Sequence, residues 1–529
     1  MRRWNGWGDD ATVYPLPKKG KQYLEEQVGP AARPHDAAFE DVVRTVPESR
    51  LPSHPLLTGN AAHRVRHAAG QSLPDWISLR SGQVSAFPDG VAYPATGEEV
   101  AELLDFARRS GAAIIPYGGG TSVVGHINPP ADERPVLTVD LGRLRELTRL
   151  DAGSQLATFG AGVTGPDLEA ALNAEGFTLG HFPQSFEYST LGGWIATRSA
   201  GQQALGYGRI ERLFAGGTVL TPAGTLVLPP FPASAAGPDL REAVLGSEGR
   251  AGIITEATVR ITPLPEAEAF HAVFLPDFES GIAAARALVQ AQLPLSMLRL
   301  STPIETKTTL VLAGHARLIR LVERYLSARG VSGEKCMLLL GFTGRKKVVK
   351  VAREEALEIA REHKGVHAGE TFGRAWRKSR FRTPYLRNTL WETGYAIDTL
   401  ETAVTWDRVP GMVDAVDGAL RQGLADEGER VHVFTHLSHL YPTGSSIYTT
   451  YLYRIAEDPQ VTLARWRRLK TAASEAIVTN GGTISHQHGV GIDHAAYLAN
   501  EKGALGMAAL RALLAAFDPA GMMNPGKIL

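Results

Sequence analysis

The chain of 529 residues is too long for a single hydrophobic core, and its 44% hydrophobic and 21% charged residues are ordinary for a globular protein. Lys+Arg and Asp+Glu each number 55, so no overall charge favours binding to nucleic acid or to an anionic membrane. The single cysteine, Cys336, excludes an internal disulfide, an iron–sulfur cluster and a thiolate zinc site.

Four parts follow one another along the chain. Residues 1–83 are rich in Pro, His and Arg and carry only short helical patterns, which predicts an N-terminal wrap. Residues 84–265 alternate strand-like and helical runs, which predicts an α/β domain. Residues 266–470 combine longer amphipathic helices with strands and predict an α+β cap domain, and residues 471–529 are expected to complete the active site.

The start of the α/β domain contains a clear helix followed by a strand. Thr96 and Glu99 have capping-box spacing, and Gly111 supplies a stop signal. Between them, apolar residues recur on one helical face. This stripe comprises Val100, Leu103, Leu104 and Ala107. The apolar run AAIIP that follows predicts a buried strand, so the next loop leaves the end of a β-α-β unit.

That loop, PYGGGTSVVGHI, has four glycines within eight residues, which lets backbone N–H groups converge on an anion. It is not a Walker loop, because His126-Ile127 stands where Lys-Ser/Thr is needed. It is not a Rossmann fingerprint either, because Val123 occupies the third glycine position. Taken alone, the loop fits a phosphate site and a ligand-free tight turn equally well.

Two further segments of the same kind favour a ligand. PQSFEYSTLGGWIATRSAG is rich in small and hydroxyl residues, and LGSEGRAGIITEATV places glycines directly before a predicted strand. Each glycine costs conformational entropy on folding, and three unrelated turns would gain no side-chain packing to offset that cost. One long, phosphate-containing ligand that touches all three segments accounts for them together.

The three segments, in this order, resemble the FAD contacts of the vanillyl-alcohol oxidase and para-cresol methylhydroxylase (PCMH-type) superfamily. Within it the chain is similar to the alkyldihydroxyacetonephosphate synthases, through RRWNGWG, LPDWISLRSG, PYLRNTL, SSIYTTY and SHQHGVG. The resemblance implies a PCMH-type FAD-binding α/β domain with an α+β cap. Because Thr121 follows the glycines where some members carry a flavin-linking histidine, non-covalent FAD is expected.

The resemblance also implies which residues contact FAD. They lie in the three glycine-rich segments and are Pro116, Gly118, Gly119, Gly120, Thr121, Ser122, Ser185, Ser189, Thr190, Gly192, Gly193, Ala200, Gly201, Glu248, Gly249, Gly252 and Ile254.

Four residues are implied to be catalytic. Tyr448 matches the proton-transfer tyrosine, and its free pKa of about 10 would require neighbouring positive charge or hydrogen bonds to stabilise a phenolate. Arg387 matches an active-site arginine that grips phosphate or carboxylate. His486 and His488, two residues apart beside glycines, are placed to contact an anion or oxyanion.

Substrate contacts and metal binding are less clear from the residues. Arg299 matches a family arginine, although an ion pair fits it equally well. His436 and His439 would point to opposite faces of a straight strand, which predicts that one lines the pocket and the other packs elsewhere. The related D-2-hydroxyacid dehydrogenases carry a metal-binding glutamate where this chain has Gln487. An amide is a poor ligand for a hard cation, so we expect no metal.

The implied reaction exchanges the fatty acyl group of acyl-dihydroxyacetone phosphate for a fatty alcohol, a step of ether lipid synthesis without net redox change. The alternative is an FAD-linked dehydrogenase of a D-2-hydroxy acid such as lactate or glycolate, of which the C-terminal NPGKIL is more typical. A flavin-binding protein without turnover stays open too.

The expected partners are small lipid substrates, with no nucleic acid, in a homodimer. No run of about 18 apolar residues predicts a membrane span. The single cysteine fits a reducing compartment, so we expect a cytoplasmic protein, and peripheral contact with a membrane is compatible with this expectation.

Overall fold

The computed structural model describes residues 2–131, 133–312 and 316–529. Its N-terminal elements are α1 (Lys18–Val28), α2 (Phe39–Arg44), β1 (Leu57–Thr58), α3 (Ala61–Arg66) and α4 (Leu73–Ser81). Helix α1 buries Leu24 and Val28 against Leu452, which belongs to the C-terminal half of the chain. These early residues therefore pack onto the rest of the molecule.

The first sheet is built around the predicted helix. Its other elements are β2 (Gly90–Ala92), α5 (Gly97–Ser110), β3 (Ala113–Tyr117) and β4 (Val136–Asp140), in the strand order β1-β2-β4-β3 with β2 and β3 parallel to β4. The helix is confirmed, and it ends at Gly111 with φ of 68°. The capping box is only half formed, because the Glu99 carboxylate accepts the Ala95 N–H instead of that of Thr96.

The second sheet is antiparallel. The elements of this region are β5 (Leu147–Asp151), β6 (Leu156–Gly160), α6 (Gly165–Ala174), β7 (Phe177–Thr178), α7 (Leu191–Thr197), α8 (Ala204–Tyr207), α9 (Ile210–Leu213), β8 (Phe214–Thr221), β9 (Gly224–Leu228), α10 (Arg241–Val244), β10 (Ile253–Arg260) and β11 (Thr262–Pro263). The strand order is β5-β6-β10-β8-β9, and β7 pairs separately with β11. Leu168 of α6 and Trp194 of α7 pack on Phe159 and Phe214 of the sheet.

A larger sheet carries the later half of the chain. Its elements are β12 (Ala267–Leu275), α11 (Phe278–Gln290), β13 (Leu295–Ser301), α12 (Pro303–Leu312), α13 (Ala316–Ser327), β14 (Cys336–Gly344), α14 (Lys346–Glu362), β15 (Val366–His367), α15 (Thr371–Ser379), α16 (Thr383–Glu392), β16 (Tyr395–Thr405), α17 (Val409–Gln422), β17 (His432–Leu437), β18 (Leu440–Tyr441), β19 (Gly444–Arg454) and α18 (Pro459–Thr479). The strand order is β15-β12-β14-β13-β17-β19-β16, with β18 paired to β19.

Both faces of this third sheet are covered. Along β14, Leu338 and Leu340 belong to one apolar cluster, and Met337 and Leu339 belong to another. Since alternate residues of a strand point to opposite faces, each face has its own core. Polar side chains in the middle of this sheet, such as Thr435 and Thr449, are therefore buried.

The chain ends beside the first sheet. After α19 (Leu498–Phe517), the Ile114 N–H donates to the Met522 carbonyl at 2.8 Å, and the Asn524 N–H donates to the Ile114 carbonyl at 2.7 Å. The C-terminal residues thus extend along β3, next to the glycine-rich loop. Of the helices in the described ranges, none is both long and apolar enough to cross a membrane.

Candidate active site

The three glycine-rich segments meet in space. A Cβ added at Gly119 would overlap the carbonyl oxygen of Tyr188, which belongs to the second segment. A Cβ added at Gly249 of the third segment would lie 3.0 Å from Pro116 of the first. The grouping inferred from composition is therefore reproduced in the fold, although the Cβ position of Gly119 is directed at protein backbone.

The first segment leaves a row of backbone donors free. Within the described residues, the N–H groups of Gly118 through Ser122 donate to no other group of the chain. Gly120 has φ of 65°, the left-handed conformation that turns successive N–H groups toward one side. The Ser122 hydroxyl is taken by its own loop, since it accepts the His126 N–H at 3.0 Å. Such a row fits a phosphate or pyrophosphate.

The second segment uses its hydroxyl groups to hold its own shape. Ser189 Oγ donates to the Ser185 carbonyl and accepts the Trp194 indole N–H, at 2.9 and 2.7 Å. Thr190 caps α7 by accepting the Gly193 N–H. In the third segment, the Ile254 side chain is buried in the core of the second sheet. These side chains position the backbone that any ligand would meet.

Glu248 of the third segment fastens the loop that carries the two histidines. Its carboxylate accepts the N–H groups of Val490 and Gly491, the latter at 2.8 Å, and lies 3.2 Å from His126 Nε2. The Ile492 N–H also donates to the Val124 carbonyl at 2.8 Å. The predicted cofactor loop and the predicted catalytic loop are therefore joined directly.

A polar row crosses three strands of the third sheet. Glu401 of β16 and His436 of β17 both lie opposite Tyr448 of β19, so the three side chains share one face. The Tyr448 ring stacks on His436 with centroids 4.9 Å apart and meets the His488 ring edge-on at 5.6 Å. Arg299 and Glu305 extend the row beyond His436.

Tyr448 is a protonated phenol at neutral pH. Burial raises its pKa to about 12, and the Glu401 carboxylate adds to this effect, while Arg387 opposes it. Arg387 and a hydrogen bond with Thr399 favour the phenolate in the expected direction, but burial and the Glu401 and Asp398 carboxylates outweigh them.

Arg387 of α16 keeps one donor free. Its Nη1 donates to the Gln71 carbonyl at 2.6 Å, and its guanidinium lies over the Trp76 ring at 4.4 Å. Its Nη2 is buried without a hydrogen-bond partner in the part of the chain that the structure describes. A buried donor of this kind is suited to an anionic ligand oxygen.

Arg299 is half committed to an ion pair. Its Nη2 donates to Glu305 Oε1 at 2.5 Å, and His436 Nδ1 lies 3.0 Å from the same oxygen. Burial raises the pKa of Glu305, but His436 and Arg299 lower it by more, to about 2. The ion pair with Glu305 is therefore present. A substrate contact stays open as well, because Arg299 Nε is buried and lacks a partner among the described residues.

The two histidines of one predicted strand are separated by a bend. Strand β17 ends at Leu437, and His439 lies in the following turn, where its ring stacks on His486 with centroids 5.0 Å apart. His436 instead stacks on Tyr448. The two histidines therefore do not lie on one straight strand, because the chain bends at His439 before β18, and both rings stay close to the polar row.

His486 is surrounded on both ring nitrogens. Its Nδ1 lies 3.1 Å from Glu401 Oε1, and its Nε2 lies 2.6 Å from both Arg209 Nη1 and the Tyr441 hydroxyl. A guanidinium can only donate, so Nε2 must be the acceptor and Nδ1 carries the proton. The lone pair of His486 Nε2 is therefore already engaged by protein groups, whereas the sequence predicted that His486 contacts an anion or oxyanion.

Sequence reasoning missed Arg209, Glu401 and Tyr441. Arg209 lies in the run LGYGRIERL, which has no distinctive pattern, and reaches His486 only through tertiary folding. Glu401 had a usable signal, because an acidic residue stands inside the long β16 strand and is 1% exposed. Burial raises its pKa, yet His486, His439 and His488 together lower it by more, so Glu401 is a carboxylate at neutral pH.

Glu401, His439 and His486 form a group that could be considered for a metal ion, since their ligand atoms lie within 4.8 Å of one another. A metal-bound imidazole normally donates its other N–H to an acceptor. Here the other nitrogen of His486 faces the Arg209 guanidinium, which is a donor. The surroundings of His486 thus fit a proton on Nδ1 better than a metal.

Two protein families match the chain. Residues 88–228 match the family described as FAD binding domain, and residues 264–528 match the family described as FAD linked oxidases, C-terminal domain. A relative, the alkyldihydroxyacetonephosphate synthase of Dictyostelium discoideum, is 30% identical over 93% of this chain and 81% of its own. This chain belongs to the FAD-linked oxidase family that includes the alkyldihydroxyacetonephosphate synthases.

FAD is the cofactor of this flavoprotein family member, and the free N–H groups of Gly118 through Ser122 suit its pyrophosphate. A solved alkyldihydroxyacetonephosphate synthase structure has a TM-score of 0.85 at 27% identity and covers 99% of this chain and 98% of its own. The predicted PCMH-type fold with an α+β cap is therefore confirmed.

Oxidoreductases of the FAD-linked oxidase family are related to the chain as well. The glycolate oxidase subunit of Bacillus subtilis is 26% identical over 84% of this chain and 90% of its own. The synthase relationship extends over a larger share of the chain, 93% against 84%.

Proposed function

We propose that this protein catalyses the exchange of the fatty acyl group of acyl-dihydroxyacetone phosphate for a fatty alcohol. The observation that carries the proposal is the relationship to the Dictyostelium synthase over 93% of this chain and 81% of that enzyme. The products are an alkyl-dihydroxyacetone phosphate and a free fatty acid, so atoms balance without an external oxidant.

The residues of the polar row supply the proton chemistry. When bound, FAD supplies the redox-active ring. Tyr448, protonated because burial raises its pKa to about 12, donates its proton to the oxygen of the leaving acyl group and regains a proton from the hydroxyl of the incoming alcohol, so the fatty acid takes up the proton that the alcohol gives up. His488, whose pKa burial lowers, stands edge-on to Tyr448 as a neutral ring that orients the phenol.

Anion binding falls to the arginines. Arg387 Nη2 is a buried donor without a protein partner among the described residues, which suits the substrate phosphate or the leaving carboxylate. Arg299 contributes less charge, because Glu305 neutralises it. His436, placed between Arg299 and Tyr448, completes the wall of the pocket.

His486 has a different part from the one first expected. Its Nε2 is already bonded to Arg209 and Tyr441, so it does not contact the oxyanion through that atom. It orders Glu401 and the stacked His439 instead. The catalytic set is then Tyr448, His488 and Arg387, with His486 in support.

The second candidate is an FAD-linked oxidoreductase of a D-2-hydroxy acid. The observation that favours it is the 26% identity to the glycolate oxidase subunit over 84% of the chain. Against it stands Gln487, which cannot offer the carboxylate that metal-dependent members of that group use.

Four further features belong to the proposal. FAD is held non-covalently, because Thr121 stands where a linking histidine would be. The four-part division at residues 83, 265 and 470, the homodimer, and the cytoplasmic location with peripheral membrane contact stay predictions. Lipid substrates are what would make membrane contact useful.

The deciding experiment runs two assays on one preparation. Purified protein is incubated with acyl-dihydroxyacetone phosphate and a labelled fatty alcohol, and in parallel with D-lactate or glycolate and a redox dye. We expect label to enter the alkyl product with one equivalent of fatty acid released. Dye reduction without any exchange would overturn the synthase proposal in favour of the oxidoreductase.

A further inference from the structure

The motif RRWNGWG at the N-terminus is not used by the site described so far. Residues 2–9 fold back on themselves, since Arg2 pairs with Asp9 as in a short antiparallel ladder and the Arg3 N–H donates to the Gly8 carbonyl at 2.9 Å. Gly8 has φ of 78°, which closes the turn. The motif therefore forms a defined loop.

One side of this loop is fixed to the helix that carries Arg387. The Trp7 N–H donates to Asn388 Oδ1 at 3.2 Å, and Asn388 Nδ2 donates to the Trp7 carbonyl at 2.9 Å. Gln71 links the two further, because its Nε2 donates to the Gly6 carbonyl and its own carbonyl accepts from Arg387 Nη1.

The other side of the loop lies on the glycine-rich segments. The Arg2 guanidinium donates to the Gly119 carbonyl of the first segment and lies 5.2 Å from the centroid of the Tyr188 ring in the second. The Trp7 ring meets the same Tyr188 ring at 90°, with centroids 5.6 Å apart. Trp7 thus stands between the FAD side and the Arg387 side of the site.

Trp7 has one donor without a use in the protein. The residue is 5% exposed, and its indole Nε1 is buried with no hydrogen-bond partner in the described part of the chain. A buried N–H left unpaired costs folding free energy, and an acceptor on a ligand would remove that cost. Arg387 Nη2, next to the Asn388 that holds Trp7, is a second buried donor of the same kind.

We propose that the Trp7 indole N–H is a ligand-binding group that donates to an acceptor oxygen of the molecule held between the glycine-rich segments and α16. The acceptor is a phosphate or carbonyl oxygen, and it belongs either to FAD or to the substrate. The FAD form of this inference is independent of the proposed function, whereas the substrate form rests on it.

The experiment removes the N–H and retains the ring. Trp7→Phe is compared with the full-length protein in which Trp7 is replaced by 3-benzothienylalanine, which keeps the indole shape and lacks the donor. FAD affinity is measured by titrating the apoprotein and following FAD fluorescence, and KM for acyl-dihydroxyacetone phosphate is measured in the exchange assay. We expect one of the two constants to weaken by about 10-fold, as the loss of one hydrogen bond predicts.

The matched control is Trp4→Phe, a tryptophan of the same motif whose ring packs on Phe39 at 5.3 Å. It should leave both constants unchanged. Weaker FAD binding in the Trp7 variants assigns the acceptor to FAD, and a raised KM with normal FAD affinity assigns it to the substrate. Unchanged FAD affinity and KM in the benzothienylalanine protein overturn the inference. If no exchange activity exists, the proposed function fails, and FAD affinity alone decides the role of Trp7.

Discussion

The glycine-rich segments and the polar row of the third sheet form the two sides of the site in different ways. The segments present backbone N–H groups, and their side chains are either absent or turned inward, as at Ser122 and Ser189. The polar row presents side chains from three neighbouring strands, and the backbone N–H and C=O groups of those strands are hydrogen-bonded within the sheet. One side binds through main chain, the other acts through side chains.

This difference explains how each side responds to change. A binding site made of backbone N–H groups requires the absence of side chains, so an added Cβ destroys it through steric overlap. The polar row requires particular functional groups, so the loss of one hydroxyl removes a proton donor and leaves the packing of the ring intact. Substitutions in the glycine-rich segments should therefore weaken FAD binding, and substitutions in the polar row should lower the exchange rate.

The largest effect should come from Gly119→Leu. The new Cβ would overlap the Tyr188 carbonyl, so the first and second segments could no longer pack together. We expect the purified variant to lose its FAD absorbance. Gly97→Leu is the control, because Gly97 is the first residue of α5 and nothing lies within 4 Å of a Cβ placed there. Full FAD content in the Gly119 variant would contradict a role for this close approach.

Tyr448→Phe tests the other side of the comparison. The change removes one hydroxyl from a ring that stacks on His436, so packing and FAD content should hardly change. If the phenol transfers the substrate proton, the exchange rate should fall by roughly 10²–10⁴-fold, the usual contribution of general acid–base catalysis.

The measurement takes FAD content, melting temperature and exchange rate from one preparation of the Tyr448 variant. A structural tyrosine predicts a stability loss of about 1 kcal/mol with turnover nearly intact. Near-normal exchange at full FAD occupancy would remove Tyr448 from the mechanism. A protein without FAD would indicate that the two sides of the site are not separable.

The two sides also differ in how far the sequence predicts them. Glycine and hydroxyl patterns are local, so three segments far apart in sequence could be recognised one by one and grouped by their shared composition. The helix α5 with its Gly111 stop followed from the same local rules. Composition could not show which way each glycine faces. The Cβ position of Gly119 faces the Tyr188 backbone and not a ligand.

The polar row is assembled by strand pairing, which a single sequence does not encode in any one stretch. Tyr448 and His436 were found from local motifs, yet Glu401 lies 47 positions before Tyr448 and becomes its neighbour only through the β16–β19 register. Arg209 comes from a different sheet region and changes the state of His486. Such partners depend on tertiary structure, so the pKa of Tyr448 could not be anticipated.

A smaller effect should appear in the pH dependence of stability. Each side holds one buried neutral histidine, because burial lowers the pKa of His181, beside the second glycine-rich segment, and of His439 to about 3. The unfolded chain takes up these protons near pH 6.5, and the folded chain does not. Stability should therefore fall as pH drops below 6.5, by about 2 kcal/mol per histidine between pH 7 and pH 5.

His181→Gln should reduce the acid-induced loss of unfolding free energy by this amount, measured as the difference between denaturant titrations at pH 7 and pH 5. His439→Gln should give the same reduction and also affect exchange, because it lies beside His486. If neither variant changes the difference between the two pH values, the two rings are protonated in the folded protein.

The smallest effect is expected from chelators. Glu401, His439 and His486 approach one another closely enough to suggest a metal ion, and the loss of activity in EDTA would turn the polar row into a metal centre. Binding through His486 Nδ1 would leave a protonated Nε2 facing both the Tyr441 hydroxyl, which can accept, and the Arg209 guanidinium, which only donates, so the contact with Arg209 disfavours this coordination. Prolonged dialysis against EDTA should therefore leave the exchange rate unchanged within experimental error, with metal content measured on the same sample.

Activity that disappears in EDTA and returns with zinc or manganese would contradict the tautomer assigned to His486 and would favour the oxidoreductase. The absence of any change would support the comparison from its chemical side, because the polar row then acts with protons alone while the glycine-rich segments hold FAD.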